Sequence, residues 1–364
     1  MINKFSYLTL NSQTYSGNRL VSFCNYKLPA LQLNSFEYHL YGFIKNFISE
    51  KPVITVKTSG STGKPKEIEL SKKGMIESAK LTGDFLRLNK GDKALLCLPV
   101  EFIAGKMMVV RAFVLGLNLI TTEPSSNPLK NIDETFDFAA MTPMQVHNIL
   151  KSNDGYEKLN NINNLIIGGG DISKNLLQKI KKLKNKTFHT YGMTETITHI
   201  AMKRLNGNNP DTCFKALKNI SFEKDETDCL VINAPHISEK KIITNDIVEL
   251  KNRFEFEFKG RFDNVINSGG IKIFPESVES RLSAFIKKKF IIAGLPDEKL
   301  GEKTVLIIET GNGDKNIFKT AISKAGLTKY EQPKELFFIN KFPETENGKT
   351  DRRKLLLNLK KNTD

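Results

Sequence analysis

Long hydrophobic runs are missing from this chain. No stretch of about 18 apolar residues occurs. The longest apolar segment, Met107 to Thr121, is interrupted by Arg111 and reads as a buried helix followed by a strand, which argues against a membrane span. The amino terminus, Met1-Ile2-Asn3-Lys4-Phe5, lacks the charged-then-apolar layout of a secretory leader. Cysteine is scarce: Cys24, Cys97, Cys213 and Cys229 show neither metal-ligand spacing nor a small disulfide framework, and are expected to be reduced and packed. These absences point to the cytoplasm. Negative charge is also short, with 40 Asp and Glu against 55 Lys and Arg and a formal net charge of +15. The lysine runs at Lys179, Lys181, Lys182, Lys184 and Lys186, and at Lys287, Lys288 and Lys289, are not interleaved with aromatics, and no nucleic-acid motif accompanies them. Nucleic acid is therefore not the expected partner; small polyanions suit the charge better.

With 364 residues, 39% hydrophobic and 26% charged, the composition is that of a soluble globular chain of about two domains. From about residue 50, strands alternate with helical patterns. Strands are expected at Pro52–Val56, Ala94–Leu98, Leu165–Ile167 and Thr187–Thr190, and helices at Lys72–Leu88 and Gly105–Leu117. This is an α/β pattern with loops at the strand ends, where ligands of such sheets sit. Phe254–Lys259 alternates like an edge strand. After it comes a smaller α+β unit: a helix from about Glu276, strands near Phe290–Ala293 and Thr304–Glu309, a helix from about Lys315 and a basic tail. The expected division is residues 1–260 and 261–364, with the boundary near Arg261–Asp263.

Thr58-Ser59-Gly60-Ser61-Thr62-Gly63-Lys64-Pro65-Lys66 directly follows a predicted strand. Small residues expose backbone N–H groups, hydroxyls add donors, and the lysines add charge; together they suit a phosphate cradle. It is not a Walker A loop, which needs Gly where Thr58 stands and Ser or Thr where Pro65 stands.

This segment resembles the phosphate loop of the acyl-adenylate-forming enzymes, a family of acyl- and aryl-CoA ligases, peptide-synthetase adenylation domains and luciferases. Four more segments resemble that family's motifs, in its order. They are Tyr191-Gly192-Met193-Thr194-Glu195-Thr196, then Thr244-Asn245-Asp246, then Gly260-Arg261-Phe262-Asp263 continuing to Ser268-Gly269-Gly270 and Pro275, and finally Asn347-Gly348-Lys349 followed by Arg352. Asn245 replaces the usual Gly of the ribose motif, and Ser277 stands where the hinge segment usually has Glu. The chain is also shorter than most members, chiefly before the phosphate loop, so an N-terminal subdomain is reduced.

The resemblance implies a large N-terminal α/β domain, a smaller mobile α+β C-terminal domain, and ATP, Mg²⁺ and coenzyme A as ligands. It implies that Lys349 bridges the acid's oxygen and the α-phosphate, that Thr194 donates to that phosphate, and that Glu195 holds Mg²⁺. Tyr191, Gly192 and the Gly168-Gly169-Gly170 turn face adenine. Asp246 accepts the ribose hydroxyls, and Arg261 reaches ribose or phosphate. Asp263 is the hinge, and Gly269 and Gly270 line the pantetheine passage. Leu98-Pro99-Val100-Glu101-Phe102-Ile103-Ala104-Gly105-Lys106-Met107-Met108, then Arg111, resembles the acid-pocket segment of o-succinylbenzoate–CoA ligases of menaquinone synthesis, with Phe102 in place of a frequent His. Met141-Thr142-Pro143-Met144-Gln145 resembles their helix-opening segment. For the carboxylate that is not activated, Lys106 is the first candidate and Arg111 the second; His199 is a further lining residue. Three readings stay open: o-succinylbenzoate, another carboxylic acid, or a non-catalytic adenylate binder. A homo-oligomer is compatible with the sequence.

Overall fold

Five strands lie parallel at the centre of the larger sheet of this computed structural model, in the order Asn118–Thr121, Lys93–Leu96, Phe136–Met141, Ile162–Ile167 and Lys186–Gly192. The structure describes residues 7–57, 67–311, 313–344 and 350–361. These strands are short and apolar on both faces, because helices cover both sides. Alternate residues divide between two cores. Ala94, Leu96, Phe138, Ala140 and Ile166 share one with the helices Lys72–Leu86 and Ile103–Leu115. Leu95, Cys97, Ala139, Met141, Leu165 and Ile167 share the other with Pro143–Ile149, Gly155–Asn160 and Lys174–Ile180. Helix starts are fixed locally: the Ser71 hydroxyl accepts from the Gly74 N–H at 2.9 Å, and Thr142 and Gln145 form a reciprocal capping box behind Pro143.

Tyr7–Leu10 continues this sheet beyond Asn118–Thr121, parallel to it, and Gln13–Ser16 follows antiparallel to Tyr7–Leu10. On the other side the added strands pair antiparallel. Beyond Lys186–Gly192 come His199–Arg204, Phe214–Ala216, Glu255–Arg261, Ile242–Asn252, Cys229–Asn233 and Ser221–Lys224. The expected edge strand at Phe254–Lys259 is thus corrected: Glu255–Arg261 pairs on both sides, with Phe214–Ala216 and Ile242–Asn252. Its alternation has another cause. Phe256 is fully buried in the core, while Glu257 and Lys259 pair with each other at 3.1 Å on the open face.

From Ile266 onward a second sheet forms. Its strands are Ile271–Ile273, Ile266–Ser268, Gly301–Glu309 and Phe290–Asp297, with Glu335–Ile339 parallel to Gly301–Glu309. Ile266, Ile292, Leu306 and Ile308 pack against the helices Pro275–Leu282 and Lys315–Lys324. Ile291, Ala293, Val305 and Ile307 pack against Phe342, Leu355 and Leu359. The segment expected as a basic tail is therefore a helix, Arg352–Lys361, anchored by its leucines. All four cysteines are buried free thiols. Among the described residues, no helix is long and apolar enough to cross a membrane.

Candidate functional site

The loops at the carboxyl ends of the parallel strands gather Gly168, Gly169, Gly170, Tyr191, Gly192, Thr194 and Glu195. Strand Lys186–Gly192 ends in Tyr191-Gly192 and enters a tight turn. A side chain at Gly192 would lie 2.3 Å from the Thr198 carbonyl, so the strand can pass there only as glycine. The Thr196 hydroxyl accepts from the Met193 N–H at 2.9 Å and lies 2.7 Å from the Thr198 carbonyl. Ile197 is held at φ 65°, in the left-handed region that a β-branched residue enters only under strain. This fixed turn presents Thr194, half-buried, and Glu195, exposed.

Beside it, the Tyr191 hydroxyl donates to Asp246 Oδ2 at 2.5 Å. Asp246 is 6% exposed, and its own N–H donates to the Thr244 hydroxyl at 3.1 Å. The cross-strand partner of Asp246 is Arg261, whose Nη1 lies 3.1 Å from Oδ1. That contact is an ion pair without aligned hydrogen-bond geometry, so buried Oδ1 still lacks a donor. Burial pushes the Tyr191 phenol well above its ordinary pKa, with the Asp246 charge adding to the effect. Its ring packs edge-on to Phe256 at 4.9 Å. Gly168, Gly169 and Gly170 follow Ile162–Ile167 directly, with Gly169 at φ 79°.

A second cluster joins three helix and turn segments. Arg111, on Ile103–Leu115, is 2% exposed; its Nε donates to the Thr82 hydroxyl at 3.3 Å and its Nη2 to the Thr198 hydroxyl at 3.2 Å. His199 Nε2 is 3.0 Å from the same Thr82 hydroxyl, and Nδ1 is 3.3 Å from Thr198. Burial lowers Arg111 to about 9, and no carboxylate among the described residues offsets it. Burial first, then the Arg111 charge, holds His199 well below its ordinary pKa, so it is neutral. Lys106 lies apart from this cluster. Five helical residues separate it from Arg111, about 140° around the axis. Its Nζ donates to the Val100 carbonyl at 2.7 Å and the Glu101 carbonyl at 2.5 Å, and lies 5.7 Å from the Phe43 ring. Thr82 and Thr198 carry no motif and were not legible in the sequence.

The phosphate-loop residues Thr58, Ser59, Gly60, Ser61, Thr62, Gly63, Lys64 and Lys66, and also Lys349, lie outside the described residues. Strands Val53–Lys57 and Glu67–Ser71 flank that loop as an antiparallel ribbon with Lys57 opposite Glu67. Asp263 sits in a 3-10 turn, Phe262–Asn264, and its Oδ2 accepts from Asn245 Nδ2 at 3.2 Å. The residue that replaces the usual Gly thus contacts the expected hinge. Ser277 leaves no carboxylate at its own position, but Glu276 supplies one a residue earlier: its Oε1 accepts from Asn264 Nδ2 at 2.5 Å. Gly269 and Gly270 stand at φ 60° and 80°, and Gly270 has open space where a side chain would project.

Residues 47–232 match the family model described as AMP-binding enzyme. The chain is 34% identical to a solved acyl-CoA synthetase (AMP-forming)/AMP-acid ligase II-like protein from Dyadobacter fermentans, covering 93% of this chain and 98% of that one at a TM-score of 0.62. The chain belongs to the AMP-binding enzyme family. It is also 27% identical over 329 residues to a 2-succinylbenzoate–CoA ligase of Listeria monocytogenes, covering 82% of this chain and 68% of that protein. The o-succinylbenzoate CoA synthetase of Bacillus subtilis, solved with its acyl-adenylate intermediate, shares the fold at a TM-score of 0.70 and 20% identity, over 83% of this chain and 68% of that one.

As an AMP-binding enzyme, the chain has a suitable corner for ribose: Asp246 is preset by Tyr191, and its orphaned Oδ1 is available to a hydroxyl donor. Among the described residues, no three acidic, His or Cys side chains cluster as a metal cage. A single exposed carboxylate, Glu195, fits Mg²⁺ all the same, because that ion keeps waters and takes phosphate oxygens as its other ligands.

Proposed function

We propose that this protein is an ATP-dependent acid–CoA ligase that activates a dicarboxylate, with o-succinylbenzoate as its acid and o-succinylbenzoyl-CoA as its product. The first step joins an acid oxygen to the α-phosphorus, and the bond to the β-phosphate breaks to release pyrophosphate. In the second, the CoA thiol attacks the acyl carbon, the carbon–sulfur bond forms, AMP leaves, and the thiol proton passes to solvent. A residue nucleophile is unnecessary. The chain's task is to neutralise charge and align the reactants.

Lys349 serves that task as a point charge between acid and α-phosphate, with Thr194 as a donor to the same phosphate. Tyr191, Asp246, Arg261 and the Gly168–Gly170 turn hold the nucleoside, and residues 58–66 cradle the outer phosphates. Mg²⁺ bound at Glu195 supplies charge neutralisation of the phosphates. Residues 1–260 and 261–364 act as two domains that reorient about Asp263 between the steps, so that Gly269 and Gly270 replace Lys349 beside the adenylate.

One observation carries the substrate reading. Arg111 is a buried guanidinium that meets hydroxyls, a thioether and, at 5.9 Å, the Phe138 ring, with no carboxylate partner among the described residues, next to the turn that bears Glu195. An uncompensated buried cation calls for an anion, and a second carboxylate on the acid provides it. This moves the expected role from Lys106, whose ammonium is engaged by Val100 and Glu101, to Arg111. The named activity of the Listeria monocytogenes relative supports the same acid. The test is acid-dependent AMP release with CoA across aromatic and aliphatic mono- and dicarboxylates. A wild-type preference for monocarboxylates would overturn the substrate assignment.

A further inference from the structure

Glu279 lies on Pro275–Leu282, and its carboxylate accepts three hydrogen bonds from two donors, the Ile292 N–H and the Arg352 guanidinium. The Ile292 N–H reaches Oε1 at 2.7 Å, and Arg352 Nη2 reaches Oε1 at 2.7 Å and Oε2 at 2.5 Å. Arg352 Nη1 then donates to the Ile292 carbonyl at 3.0 Å. Carboxylate and guanidinium therefore close a ring around the Ile292 backbone, tying Pro275–Leu282, Phe290–Asp297 and Arg352–Lys361 together at one point. A partly buried ion pair of this kind adds little net stability, so orientation is its more economical explanation.

Arg352 lies three residues beyond Lys349 in the chain. Glu344 and Thr350 form an isolated antiparallel bridge across residues 345–349, and the Asp351 N–H donates to the Pro343 carbonyl at 2.8 Å. On one side Lys289 holds Glu344 at 2.6 Å; on the other Arg352 begins the terminal helix.

We propose that Glu279 is a positioning residue for the adenylation step, acting through Arg352 to set where Lys349 stands. The proposal rests on the reading of Lys349 as the adenylation lysine. Burial pushes Glu279 up to about 7. The charged groups facing the pair are Arg352 from the terminal helix, Glu276 from Glu279's own helix, and Asp171, which follows the glycine turn and faces Arg352; the strand offers only the Ile292 backbone. Protonation near neutrality removes the charge that holds Arg352.

The experiment compares Glu279→Gln, Arg352→Lys and Lys349→Ala in two separate assays: pyrophosphate release from ATP and acid, and CoA transfer from added acyl-adenylate. Glu279→Gln is expected to lower kcat for adenylation about tenfold or more at unchanged KM for ATP, and to leave CoA transfer within about twofold. Wild-type adenylation is expected to fall below about pH 7 while CoA transfer does not, and Glu279→Gln should lack that limb. Arg352→Lys keeps the charge without the two-pronged geometry, and is read in the same way if Glu279→Gln does not fold. Normal adenylation in these variants, or equal loss of both steps, overturns the positioning role. Normal adenylation in Lys349→Ala overturns the lysine reading instead, so the two failures are told apart.

Discussion

Tyr191 and Asp246 are joined by a 2.5 Å hydrogen bond that spans the junction between the parallel strands and the antiparallel flank. Two residues expected to meet different parts of the nucleotide thus act on each other, the phenol fixing the carboxylate before ribose arrives. Tyr191→Phe keeps the ring and removes the hydroxyl that makes this bond. A hydrogen bond to a charged group contributes about 1.5–3 kcal/mol, so ATP affinity should weaken roughly tenfold to hundredfold. Calorimetric titration with ATP checks it, and the KM for the acid should hardly move.

Arg111 and Lys106 separate a binding role from a structural one. Arg111→Met removes an uncompensated buried charge and retains much of the volume. Dicarboxylate use should weaken by about 2–5 kcal/mol in kcat/KM, while the melting temperature of the free protein holds or rises. Lys106→Met leaves the Val100 and Glu101 carbonyls without their donor, a loss of about 1–3 kcal/mol in stability with little change in acid preference. Kinetics on paired mono- and dicarboxylates, together with thermal melts, decide both. A selective loss of dicarboxylate use in the Lys106 variant would reverse the assignment.

The contrast reflects what a sequence can convey. The parallel strands near Ala94–Leu98, Leu165–Ile167 and Thr187–Thr190 were legible because each is a short run ended by Gly or Pro, and the nucleotide residues because they stand in compact segments; the parallel strand Phe136–Met141 was not among those expected. The antiparallel flank was not: His199–Arg204, Phe214–Ala216 and Ser221–Lys224 mix polar and apolar residues, and their pairing is set by distant partners. Phe254–Lys259 reads as an edge strand because alternation reports one open face and says nothing of neighbours. The Arg111 cluster depends on Thr82 and Thr198, which lie 29 and 87 residues away in sequence. Nor could Glu276 be seen to supply a carboxylate in place of Ser277, since only the fold shows that it reaches Asn264.

Acid should destabilise the protein before neutral pH is far behind. Burial lowers the pKa of His147, His189, His199 and His236, with His199 held well below the ordinary value. A depressed histidine binds fewer protons folded than unfolded, so its contribution is present above about 6.5 and lost as pH falls. Glu279 acts in the opposite sense: its pKa, raised to about 7, favours the folded state as pH drops. Four groups oppose one, so the melting temperature should fall from pH 7 to pH 5.5. His199→Asn should flatten that slope, and an unchanged slope would place the acid sensitivity elsewhere.

The last expectation concerns Asp263. It lies in a 3-10 turn immediately after Arg261, between the last strand of the large sheet and the first strand of the small one. Asn245 Nδ2 reaches its carboxylate at 3.2 Å, and Arg261 Nη2 lies 4.0 Å from it. A hinge must change φ and ψ, and proline fixes φ near −65°. Asp263→Pro should therefore hold one orientation of the small unit, sparing adenylation and slowing CoA transfer, each measured as a separate half-reaction. The substitution also removes the Asn245 contact, which Asp263→Ala removes without restricting φ. Slow CoA transfer in the proline variant with near-normal transfer in the alanine variant assigns the effect to backbone rotation. Equal rates in both variants assign it to the lost side chain and move the hinge away from residue 263.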